Sequence, residues 1–154
     1  MLIRPDPLTG PEIAALLREH LDEMHRHSPP ESVHALDLDA LRAPGISFWS
    51  AWDGEVLVGC VALKELDTTH GEIKSMRTAR AHQGKGVGTQ LLQHVLEDST
   101  RRGYCRLSLE TGSMAHFAPA WSLYARFGFE PCCPFARYVY DPNSVFMTRV
   151  LPRA

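Results

Sequence analysis

Three glycines fall within five residues, Gly84, Gly86 and Gly88, in the stretch AHQGKGVGTQ at 81–90. Glycine permits positive φ and lets a ligand approach the backbone closely. A run of glycines ahead of a helix turns several N–H groups toward one place, and the helix dipole adds positive potential there. The chemistry on offer is anion binding, best suited to phosphate. Lys85 within the loop, and Arg80, His82 and Gln83 just before it, offer further donors. The same glycines also suit a tight strand-to-helix turn with no ligand. The spacing is neither G-x-x-x-x-G-K-[ST] nor G-x-G-x-x-G, and no acidic residue ends a second strand about twenty residues on. A nucleoside-triphosphate loop and a dinucleotide fold are both disfavoured.

Such a loop needs a strand before it and a helix behind it. GEIKSMRTA (71–79) reads as the strand. In 87–103, Val87, Leu91, Leu92, Val95 and Leu96 form one apolar stripe, and Gly103 suits the position after the helix end. Upstream, 10–27 carries Ile13, Leu16, Leu17, Leu21 and Met24 at helical spacing, with Pro11 suited to the first turn. Asp53–Gly54 between the apolar runs 46–52 and 55–66 signals a hairpin. Residues 2–5 read as a first strand, 36–44 as a short helix or turn, 104–111 as a strand and 116–129 as a helix ending at Gly128. Two closing strands are expected at about 134–140 and 145–151. The order is β-α-(α)-β-β-β-α-β-α-β-β, with a crossover of parallel type around the helix 87–102. That predicts one α/β domain over 1–154, built on a mixed, mostly antiparallel sheet of about seven strands.

Composition fits that reading. The chain has 154 residues, 44% hydrophobic and 22% charged, and a formal net charge of -2. This length needs no disulfide or metal staple. The charge argues against a general nucleic-acid binder. No run reaches the 18 or so apolar residues of a membrane span, and the N-terminus lacks signal-peptide features, so cytoplasm is the default expectation. Cys60 and Cys105 lie in apolar runs and read as reduced, buried thiols; the adjacent Cys132 and Cys133 suit neither a metal nor a mutual bridge.

Gln83-Gly84-Lys85-Gly86-Val87-Gly88 matches Q/R-x-x-G-x-G/A, and LYARFGF (123–129) matches L-Y-x-x-x-G-F. Together, at this separation and after the strand EIKSMRT, they resemble the GCN5-related N-acetyltransferase (GNAT) superfamily. The element order extends the likeness over nearly the whole chain. LKEL, GEIKSM, LSLETG and DPNSVFM further resemble a bacterial subgroup of small GNAT proteins. The resemblance implies a GNAT fold with an acetyl-CoA wedge splayed between strands 4 and 5. It implies that backbone N–H groups from Gln83 to Thr89 (Gln83, Gly84, Lys85, Gly86, Val87, Gly88, Thr89) hold the CoA pyrophosphate. The strand edge at Met76, Arg77 and Thr78 would pair with the pantetheine amides, one N–H near Met76 polarising the thioester carbonyl.

The reaction implied is direct attack of an amine on the acetyl thioester. An alkyl amine of pKa about 10.4 is neutral to the order of one part in a thousand at pH 7, and supplying the neutral form costs roughly 4–5 kcal/mol. A general base, a water chain or a site that lowers the amine's pKa must meet this. Glu72 stands eleven residues before Gln83, the offset of the glutamate base in histone acetyltransferases of the superfamily; otherwise it is a strand-end charge or pairs with Lys74. Glu110 is the alternative base or a substrate contact. Tyr124 falls on the tyrosine of the second motif, which in the family often faces the CoA sulfur and can protonate the leaving thiolate. The family often has Asn near the start of that helix; here TGSMAHFAPAW offers Ser113 and His116 instead.

The family's acceptor pocket corresponds to about 20–37 and 132–146, which hold His25, His27, Ser28, Ser32 and His34, then Arg137, Tyr138 and Tyr140. His25, His34 and Tyr138 are the candidate substrate contacts. No metal is expected, because His25 and His27 at i,i+2 do not share a helix face. Three functions fit: an acetyltransferase acting on a small amine, one acting on a protein lysine or N-terminus, and a non-catalytic acyl-CoA binding module. The expected partners are acetyl-CoA and an amine acceptor, with no nucleic acid and no membrane, and homodimers are common in the family.

Overall fold

The computed structural model describes residues 1–34 and 36–152. Seven strands form one sheet: β1 (Leu2–Pro5), β2 (Ile46–Asp53), β3 (Val56–Asp67), β4 (His70–Thr78), β5 (Arg106–Gly112), β6 (Glu130–Pro131) and β7 (Ser144–Val150). Their order is β1-β2-β3-β4-β5-β7-β6. Every neighbouring pair is antiparallel except β4–β5. The Asp53–Gly54 hairpin forms as expected: Asp53 pairs with Val56, and Gly54 supplies φ 61 at the turn.

Helices α1 (Pro11–His27) and α2 (Leu38–Leu41) cover one face; α3 (Val87–Arg101) and α4 (Ala118–Arg126) contribute to the core of the other. The strand period of two divides the side chains. Cys60 and Ala62 of β3 pack with Ile13, Leu16 and Leu17 of α1. Val61 and Leu63 pack with Ile73, Leu107, Leu109 and the α3 stripe. Pro11 begins α1, and Gly103 and Gly128, at φ 84 and 85, follow the ends of α3 and α4.

Three expectations are corrected. Residues 134–140 form a turn instead of a strand. Pro134 has no N–H to donate, Ala136 takes φ 52, and Tyr138 N–H closes a turn on the Phe135 carbonyl at 3.0 Å. The turn also lets Phe135 and Tyr138, three residues apart, pack on Phe146 together, which a strand forbids. The sixth strand is instead Glu130–Pro131. The helix expected from 116 starts at Ala118, after a single 3₁₀ turn at Ala115–Phe117, because Pro119 suits a first turn. Cys105 is exposed, just before β5, whereas Cys60 is buried and its thiol is pushed up to about 12 by burial. Among the described residues no helix is long and apolar enough to cross a membrane.

Candidate active site

The sheet opens at its parallel pair. β4 and β5 pair from His70–Arg106 to Ile73–Leu109 and then part. Beyond that point β4 stays on β3 as far as Thr78–Gly59, and β5 stays on β7 as far as Gly112–Ser144. A bulge helps turn β4 away: Lys74 faces Ala62 and Arg77 faces Cys60, so Ser75 and Met76 share one partner residue. Ser75 takes φ 51, a left-handed conformation costing on the order of 1–2 kcal/mol in a residue with a Cβ. The parted strands line a cleft of about 750 Å³. It runs through the sheet: Gly84, Gly86, Leu123 and Tyr124 line it on the α3–α4 side, His20, Glu23, Glu72 and Glu110 on the α1 side.

At the α3 end, Gly84 and Gly86 take φ 78 and 83, and an added Cβ on either meets nothing within 4 Å. These two glycines serve backbone conformation. Gly88 serves packing, since a Cβ there would lie 3.2 Å from Leu123 Cδ2. Gly86 caps α3 without a side-chain hydrogen bond, and the first helical bond goes from Gln90 N–H to the Gly86 carbonyl. The N–H groups of Val87, Gly88 and Thr89 precede that first bond, and all three residues line the cleft. Gln83 and Thr78 line it as well.

The α1 side holds two carboxylates. Glu72 is buried; it accepts from Tyr138 Oη at 2.5 Å and from Lys74 Nζ at 3.3 Å. Lys74 also donates to Tyr138 Oη at 2.9 Å. Among the described residues, Glu110 accepts a single side-chain bond, from Ser144 Oγ at 2.7 Å. Burial pushes its pKa up to about 7, against the opposing Ser144 bond and the charge of Lys74, with Glu72 and Asp141 adding to the rise. Glu110 is therefore poised to take or give a proton near neutrality. Tyr124, on α4, sets its ring edge-on to Phe129 at 5.7 Å, and burial raises its phenol above the ordinary value. It stays protonated at neutral pH, and Tyr124 lines the cleft.

Residues 13–129 match the model of the acetyltransferase (GNAT) family. The chain belongs to that family. It is 62% identical to YsnE of Bacillus subtilis over 98% of this chain and 100% of that one, and 48% identical to YedL of Escherichia coli over 97% and 94%; both are described as uncharacterized N-acetyltransferases. A GNAT acetyltransferase from Elizabethkingia anophelis with acetyl-CoA bound superposes with a TM-score of 0.66 at 20% identity, covering 97% of each chain. The GNAT protein described here is accordingly an acyl-CoA-dependent N-acetyltransferase.

Within this GNAT protein the cleft brings together Glu72, Glu110, Tyr124, Met76, Arg77, Thr78, Gln83, Gly84, Gly86, Val87, Gly88, Thr89, His34 and Tyr138. It leaves two candidates out. Lys85 is exposed on the loop, and His25 is exposed on α1; neither lines the cleft. The side chain of Arg77 turns to α1, where it pairs with Glu23 and, at 2.9 Å, with Glu19. Burial and Arg77 together push the neighbouring His20 down to about 4, so it is neutral. Sequence reasoning missed Ser144 and the side-chain role of Arg77, whose partners lie 34 and more than fifty residues away. Lys74 was legible as a partner of Glu72, since residues two apart on a strand share a face.

Proposed function

We propose that the protein acetylates the amine of a small molecule, with Glu110 as general base and Tyr124 as the acid for the leaving thiolate. One observation carries the choice of a small molecule. The loop after α1 and the loop before β7 meet over the acceptor side: Ser32 Oγ donates to Asp141 Oδ2 at 2.5 Å, and His34 meets the Tyr138 ring edge-on at 5.0 Å. That contact narrows the acceptor side, which suits a small amine better than a protein lysine lying in an open groove.

In this mechanism the amine nitrogen attacks the thioester carbonyl carbon. Its proton passes to Glu110, whose affinity near pH 7 suits the task. A backbone N–H at the Ser75–Met76 bulge, where both residues line the cleft, would hold the carbonyl oxygen as it gains charge. When the C–S bond breaks, the thiolate takes the phenolic proton of Tyr124. The products are an amide and CoA thiol, and bulk water restores both side chains.

The test is calorimetric titration with acetyl-CoA, NADH and ATP, followed by an amine library and a lysine peptide set read by released CoA thiol. The expected result is selective binding of acetyl-CoA and turnover with small amines. Turnover confined to peptides would overturn the substrate class; absent acetyl-CoA binding would remove the footing of the mechanism.

A further inference from the structure

At the mouth of the cleft, α1 meets the turn Ala115–Phe117 that leads from β5 to α4. Glu23 and His27 stand four residues apart on α1, so they share a helix face. His116 comes from the far side of the parted strands. Its imidazole stacks on that of His27 with centroids 3.6 Å apart and planes 5° from parallel. One ligand-capable atom from each of Glu23, His27 and His116 lies within 4.8 Å of the others.

We propose that Glu23, His27 and His116 bind a divalent late transition-metal ion of the zinc type, which ties α1 to the β5 side of the cleft. Two imidazole nitrogens and one carboxylate oxygen form a three-ligand donor set with a position left open to water, a set that suits zinc, cobalt or nickel and does not suit magnesium or calcium. A tetrahedral ion spaces two imidazole nitrogens about 3.3 Å apart, and the lone pairs of near-parallel rings lie in parallel planes, so one ring must tilt to bring both to the ion. His116 is exposed, so its ring has room to tilt and converge its nitrogen on the ion.

Arg77 and Arg80 bond the Glu23 carboxylate, as partners commonly do for a ligating carboxylate. Their positive charge opposes the ion and lowers the expected affinity. The site is a product of the fold, because His116 lies far along the chain from the α1 pair.

The test uses tag-free, chelator-free protein and zinc chloride in calorimetry. The expected result is one equivalent bound. His27→Ala and His116→Ala should each weaken it at least tenfold, and Glu23→Gln less. Binding should weaken at pH 5.5, where protons compete for the imidazoles. Cobalt absorption on the unaltered protein supplies a reading that needs no variant. Cobalt d–d bands without thiolate charge-transfer support the site; a thiolate band would put the ion on exposed Cys105 or Cys133 and overturn the proposal. Absence of zinc binding, or binding unchanged in both histidine variants, would overturn it equally.

Discussion

Tyr138 and Glu72 are joined by a 2.5 Å hydrogen bond across 66 residues of sequence, with the phenol donating to the carboxylate. Lys74 binds both partners. Burial and the negative charge of Glu72 raise the Tyr138 phenol, so it stays protonated and keeps donating. Glu72 thus commits Oε2 to two fixed neighbours. Glu110, with one hydroxyl partner among the described residues and a pKa of about 7, keeps capacity for an incoming amine. The proposed division of labour is that Glu72 orders the wall of the cleft and Glu110 moves the proton.

Tyr138→Phe tests the ordering role. The variant deletes two charge-assisted hydrogen bonds, one to Glu72 and one from Lys74, each worth roughly 1.5–3 kcal/mol, and leaves the Lys74–Glu72 pair in place. The wall lies on the acceptor side, so the KM for the amine should rise several-fold while the KM for acetyl-CoA holds. Steady-state kinetics with both substrates varied would check this. Parallel loss of both constants would assign the phenol to general packing instead.

Glu110→Gln separates base from bystander by pH. The folded value of about 7 lies above the ordinary 4.5, so the folded state holds a proton that the unfolded chain has released. The associated stability is fully present below about pH 4.5 and is lost as pH rises through 7. Glutamine removes that loss: the variant should match the parent at pH 4 and exceed it by up to about 3 kcal/mol at pH 8. Activity should move the opposite way. The parent's kcat/KM should climb with pH through about 7, and the variant should fall on the order of a hundredfold and lose that limb. Urea unfolding and a pH–rate profile read the two effects independently.

Legibility in the sequence followed the range of the interactions. The glycine loop, the α3 stripe and the Asp53–Gly54 turn rest on neighbours a few residues apart, and all were readable. So was the parting of β4 from β5, once the two motifs placed the family. The stretch 134–140 misled because Phe135, Tyr138 and Val139 resemble strand residues in type, while Pro134 and Ala136 deny them strand geometry. Ser144 on Glu110, Arg77 on Glu23 and His116 on His27 were unreadable for another reason. Each pair is made by folding, and no spacing rule connects its members.

Tyr124→Phe should lower kcat by ten- to a hundredfold and leave acetyl-CoA affinity unchanged, because it deletes a proton donor and keeps the ring that packs on Phe129. A thioester whose leaving thiol is more acidic should recover much of the loss, since that thiolate needs less protonation. Equal loss with both thioesters would assign the phenol to another step.

Gly86 distinguishes backbone strain from charge. It sits at φ 83 with open space around a would-be Cβ, so Gly86→Ala incurs conformational strain of about 1–2 kcal/mol without any clash. Gly86→Asp incurs similar strain and adds a negative charge at the free N–H groups of α3, the proposed pyrophosphate site. Alanine should therefore weaken acetyl-CoA modestly, and aspartate should abolish its binding in calorimetry while circular dichroism stays native. The same aspartate lies ahead of the helix, where a carboxylate favours α3 itself. A variant that gains or holds stability yet loses the ligand would tie the loss to the anion site; one that binds normally would place the pyrophosphate elsewhere.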